Sequence, residues 1–147
     1  VNDMSYTYIS LNDAVEIHRK TILNSGGGSE GHIDLGRLES VLFNIQNDDY
    51  YPDLIDKLTH LFFSVCQFHC FSDGNKRLAI TLSAKFLIDN GFMLIAQTFF
   101  EDSENISYHV AAGKIDKDLL HKILHSIILG TYRDDEELKF EIYNAIM

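Results

Sequence analysis

Basic residues are scarce in this chain: 12 Lys and Arg stand against 22 Asp and Glu, a formal net charge of −10. A duplex-binding module needs a cationic face to neutralise phosphates, and no run of Lys and Arg here exceeds two residues. Bulk nucleic acid is therefore excluded as a partner, although one small cationic pocket could still take a nucleotide, helped by complexed Mg²⁺. Long apolar runs are missing too. None reaches spanning length without a polar break, and the N-terminus lacks the basic and apolar regions of a signal peptide, so the expectation is no membrane and a cytoplasmic location. Cysteine is limited to Cys66 and Cys70, four apart, which suggests no disulfide scaffold and suits a reducing compartment. Zinc would need a fourth ligand besides Cys66, His69 and Cys70, and only the distant His60 offers itself. Walker-type and kinase-type glycine loops are absent, which disfavours the ordinary nucleotide folds.

What is present is apolar and helical. Some 147 residues with a 46% hydrophobic fraction suffice for one domain with a real core. Ser10 reads as the N-cap of a first helix bearing Leu11, Ala14, Val15, His18 and Ile22, which Gly26-Gly27-Gly28 must end. Asp34 can cap a second, with Leu35, Leu38, Val41, Leu42 and Ile45 as its buried stripe. Asn44 to Asp53 breaks the pattern, and the single proline, Pro52, suits the first turn of the next helix. That segment reads either as a solvated connection or as a flap whose Tyr50 and Tyr51 touch a substrate. Helix three, about Asp53 to Phe68, is apolar around more than one face and so central. Helix four runs from about Asn75 to Asp89 and closes at Asn90-Gly91. Phe92 to Ala96 has the look of a short strand. A fifth helix over Ser103 to Ala112, a sixth through Leu119 and Ile128 to Gly130, and a terminal one within Asp134 to Met147 complete an all-α bundle.

Between helices three and four lies His69-Cys70-Phe71-Ser72-Asp73-Gly74-Asn75-Lys76-Arg77. Exposed amides at a helix start, followed by Lys76 and Arg77, make an anion site, and phosphate is its natural occupant. His69 supplies a proton acceptor, Asp73 a hard oxygen ligand for magnesium, and Gly74 close backbone approach. The same residues could equally form a capped turn, with Asp73 as N-cap and the two cations solvated. Cys66 reads as a buried small hydrophobe.

These nine residues resemble the signature of the Fic/Doc superfamily: His69, Phe71, Asp73, Gly74, Asn75, Lys76 and Arg77 all fall in place. Tyr8-Ile9-Ser10-Leu11 with Ile17-His18, Asp34 to Ser40, Tyr51-Pro52 and Asn90-Gly91-Phe92 resemble its death-on-curing branch. The likeness covers roughly residues 8–128, leaving 129–147 as a C-terminal helical extension of a single domain. It implies a Fic/Doc-like helical bundle with the active loop between two central helices and a short flap. It also implies His69 as general base, Asp73 as the Mg²⁺ ligand, Gly74, Asn75, Lys76 and Arg77 on the phosphates of ATP, and Tyr50 and Tyr51 as contacts to a target protein.

AMP-transferring members usually carry glycine where Lys76 stands and a second arginine where Ile80 stands. In the death-on-curing branch, lysine goes with transfer of the terminal phosphate to a threonine of elongation factor Tu. The family's inhibitory motif needs Ser or Thr four residues before Glu-Gly or Glu-Asn; Gly26 and Phe100 occupy that place before Glu30-Gly31 and Glu104-Asn105. The resemblance thus implies a toxin restrained by a separate antitoxin. AMP transfer with the same base, or a catalytically silent binding domain, are the competing readings.

Overall fold

The computed structural model describes residues 5–24, 35–68 and 75–147, and seven α-helices are found among them. They are α1 (Leu11–Asn24), α2 (Leu35–Asn44), α3 (Leu54–Cys66), α4 (Asn75–Asp89), α5 (Met93–Ala111), α6 (Lys117–Leu129) and α7 (Glu136–Ile146), with a 3₁₀ turn at Tyr132–Asp134 before the last. No strand occurs among the described residues, so the fold is an all-α bundle. No helix among them is long and apolar enough to cross a membrane.

Helices α3 and α4 form the centre. Helix α3 packs on α4, α6, α5 and α2, and α4 packs most extensively on α5 and α3. Their interleaved side chains Leu58, Leu61, Phe62, Val65, Leu78, Leu82, Phe86 and Leu87 have no exposure to water. Burial of one such leucine is worth roughly 1.5–3 kcal/mol, which is why a helix apolar on more than one face ends up inside.

Local chemistry sets the boundaries. Ser10 Oγ accepts from Asp13 N at 3.1 Å, as expected of the first cap. Asp53 Oδ1 accepts from Asp56 N at 2.9 Å, so the cap of α3 is Asp53 itself. Pro52 consequently lies outside the helix, one residue before the cap, rather than in its first turn. Helix α4 closes as expected. Gly91 has φ 95°, Gly91 N donates to Ile88 O and Phe92 N reaches back to Leu87 O at 2.8 Å, the paired bonds of a left-handed C-terminal cap.

Phe92–Ala96 is not a strand. The turn at Gly91 is so short that α5 begins at Met93, ten residues before the expected start at Ser103. A continuous stripe, Ala96, Phe99, Ser103, Ile106, Ser107 and Val110, is buried at helical spacing and fixes the conformation of the whole segment. Leu35, expected in the stripe of α2, is 46% exposed, because it sits at the helix start where the chain has not yet met the core. Asp34 as cap and the glycine turn at 26–28 lie outside the described residues. In α7, Leu138 is buried and Ile142 and Ile146 pack partly against the core.

Candidate functional site

The chain is anchored on either side of residues 69–74. Phe68 is buried where the chain leaves α3, and Gln67 Nε2 donates to Val110 O on α5 at 2.7 Å. On the far side Leu78 and Ala79 are buried, while Lys76 and Arg77, immediately before them, are exposed. Helix α4 is therefore held by its body and offers its first turn, with two cations, to solvent. Asn75 opens that turn. His69, Asp73 and Gly74 lie outside the described residues.

Lys76 is close enough to α3 for its charge to act on Cys66. Burial pushes the Cys66 thiol up to about 12, against a small opposing pull from Lys76. A thiol held neutral in the core is no nucleophile, and Cys66 packs as the small hydrophobe expected. Arg77 and Ile80, one helical turn apart, line an open cavity of about 450 Å³ with Lys20, Thr21, Phe100 and Glu104. At the other stem, a wider cleft of about 720 Å³ between α2 and α3 is lined by Arg37, Ser40, Asn44, His60, Ser64 and Gln67.

The connection from α2 to α3 carries the two tyrosines. Tyr51 N donates to Asn47 O at 2.9 Å, and Asn47 Oδ1 accepts from Asp49 N at 2.9 Å, so the segment is a wound turn. Tyr50 is 76% exposed at its apex. Tyr51 is half-buried: its ring stacks on His60 at 4.4 Å between centroids, and its hydroxyl lies 3.2 Å from His60 Nδ1. Burial holds the Tyr51 hydroxyl above its ordinary pKa, with the neighbouring Tyr50 adding to the effect.

Residues 8–87, more than half of the chain, match the model of the Fic/DOC family. The chain belongs to that family. Every residue singled out above from the sequence as a site residue falls within the Fic/DOC match, and α5 to α7 lie beyond it. A protein of Mycolicibacterium smegmatis named Toxin Doc is 32% identical over 110 residues, which cover 69% of this chain and 85% of that protein. No solved structure is a significant match.

Lys57 was not singled out from the sequence, and His60 only as a distant fourth zinc ligand, whereas the fold draws both side chains of α3 inward. Lys57 stands at a core position of α3, between Leu54 and Leu58, and is wholly buried. His60, one turn on, is enclosed by Tyr51, Ser64 and Lys117. The signal for Lys57 was present: Leu54, Lys57, Leu58 and Leu61 follow the spacing of a buried stripe, with one lysine among leucines. Among the described residues, no group of three or more His, Cys, Asp or Glu is placed to hold a metal.

Proposed function

We propose that this protein transfers the terminal phosphate of ATP to a hydroxyl group of a target protein, a threonine of elongation factor Tu by its likeness to the death-on-curing branch. In this reading it is the toxin of a toxin–antitoxin pair. The observation that carries the reading is Lys76, exposed beside Arg77 on the first turn of α4, where AMP-transferring members have glycine. A fifteen-residue helix presenting amides and two cations suits a triphosphate in an otherwise acidic protein. The relative named Toxin Doc supports the biological role. The lack of a complete inhibitory motif in this sequence supports restraint by a separate antitoxin.

His69 takes the proton from the target hydroxyl as its oxygen bonds to the γ-phosphorus. The bond from that phosphorus to the bridging oxygen breaks, and ADP leaves. Gly74, Asn75, Lys76 and Arg77 bind the phosphates, with Lys76 stabilising charge on the transferring group. Asp73 would hold Mg²⁺, which supplies neutralisation of the phosphate charge. Tyr50 and Tyr51 present the target segment.

The test is to incubate the protein with elongation factor Tu and ATP labelled separately at the α and γ phosphates, followed by mass spectrometry of the target. Label from γ with a gain of one phosphate on a threonine is the expected result. Retention of α label and a gain of one nucleotide would replace this reading with AMP transfer. Tight partner binding with no product from either label would leave a silent binding domain.

A further inference from the structure

Lys57 has no exposure to water, yet it carries an ammonium that must be satisfied inside the protein. Its Nζ donates to Ile45 O at 2.8 Å and to Asp48 Oδ1 at 2.7 Å. It also lies 5.5 Å from the ring centroids of both Tyr6 and Tyr8, aromatic faces that attract a cation. Burial by itself would lower the pKa of Lys57, but the bonds and charges of Asp48 and Tyr8 outweigh it and hold the pKa above its ordinary value. The amine is therefore a permanent cation that joins three pieces of chain: α3, the lead-in before α1, and the connection after α2.

That connection is the one carrying Tyr50. Ile45 is its first residue beyond α2, and Asp48 lies two residues before Tyr50. Asn47, between the two, accepts from Asp49 N and Tyr51 N. At its far end Tyr51 is stacked on His60. The segment is thus pinned to α3 at both ends, with the exposed tyrosine between the pins. Asp48 itself is an exposed side chain, 75% accessible, and an aspartate so placed would ordinarily stay in water. Its carboxylate nonetheless reaches the buried ammonium from the surface.

We propose that Lys57 is a positioning residue for target recognition: by holding the Ile45 carbonyl and the Asp48 carboxylate, it fixes the 45–53 segment so that Tyr50 meets the target in one orientation. This rests on the functional reading above, in which that segment docks the target. Lys57 touches neither the phosphates nor the reacting hydroxyl, so its effect falls on the apparent affinity for protein substrate.

Two measurements on Lys57→Met and Asp48→Ala test the proposal. The first is hydrogen exchange of the backbone amides of residues 48–51 without target. Lys57→Met, which keeps the buried stem, should exchange at least ten times faster there and be unchanged in α4; Asp48→Ala should change in the same direction by about threefold. The second is steady-state transfer to elongation factor Tu. KM for the target should rise at least tenfold in Lys57→Met, with kcat and the KM for ATP within twofold of wild type. A purely structural lysine would lower kcat through the folded fraction and leave KM alone, which would overturn the proposal. Unchanged exchange, or faster exchange with unchanged KM, would overturn it too. Should Lys57→Met not fold, Asp48→Ala, altered at the surface, carries both measurements. If the wild type modifies no target the functional reading falls and takes the docking role with it, while exchange still decides separately whether Lys57 holds the segment.

Discussion

Lys117 Nζ lies 2.9 Å from His60 Nδ1. An ammonium can only donate, so the imidazole presents a lone pair there and is neutral. Burial first, and the Lys117 charge second, push the His60 pKa down to about 4. A histidine depressed in the folded state stabilises the fold fully above its unfolded value near 6.5, and that contribution is lost as pH falls towards 4.

Acid should therefore unfold this protein partly through His60. Urea titrations of wild type and His60→Gln at pH 7 and pH 4 should show wild type losing roughly 2 kcal/mol more than the variant, the shift being discounted for partial exposure. His18, also lowered by burial, acts equally in both proteins and cancels. Parallel losses in the two proteins would show that His60 is not the acid-sensitive group.

Replacing His69 with alanine should abolish transfer, a loss on the order of 10²–10⁴-fold, while leaving nucleotide binding and the melting temperature nearly unchanged. Full activity in a cleanly folded variant would remove the imidazole from the role of base.

Asp73→Ala should weaken Mg²⁺-dependent binding of ATP rather than binding of nucleotide as such. Calorimetric titration of ATP over a Mg²⁺ series is the measurement, and identical magnesium dependence in the two proteins would count against the assignment.

Lys76→Gly should sharply reduce γ-phosphate transfer at a cost of under ~1 kcal/mol in stability, because the residue is exposed on the first turn of α4. Weak AMP transfer is expected in its place. Adding Ile80→Arg should strengthen that activity by placing a second cation on the wall of the Arg77 cavity, at a cost in stability because Ile80 is buried. Assays with α- and γ-labelled ATP decide it; undiminished γ transfer in the single variant would end the specificity argument.

Asn90→Ala should cost about 1–3 kcal/mol in urea denaturation. Its Oδ1 accepts from Thr7 N at 2.8 Å, and its Nδ2 donates to Thr7 O at 2.9 Å and Phe86 O at 2.8 Å, tying the lead-in strap to the end of α4. Coincident denaturation curves would show those bonds to be fully replaced by water.

Much of this architecture could be read directly from residue order. The apolar positions of α3, α4 and α6 form long runs, and Gly91 and Gly130 mark the stops of α4 and α6. Phe92 to Ala96 misled because five apolar residues in a row carry no period; only the later Phe99, Ser103 and Ile106 show that helical burial continues. The surroundings of Lys57 and His60 were hidden for a different reason. A polar residue on an apolar stripe meets partners distant in sequence, Asp48 and Tyr8 for one and Lys117 for the other, which only the tertiary fold brings near. The motif at 69–77 was legible because its chemistry is contiguous.

From Leu78 to Leu87 no residue of α4 is exposed, whereas Lys76 and Arg77 just before them are. Sequence drift therefore meets two regimes within three turns of one helix. Changes in the buried part disturb the core and are purged for their effect on stability. Changes in the first turn are nearly free of that penalty, so its surface charge can be varied by single substitutions while the scaffold stays as it is.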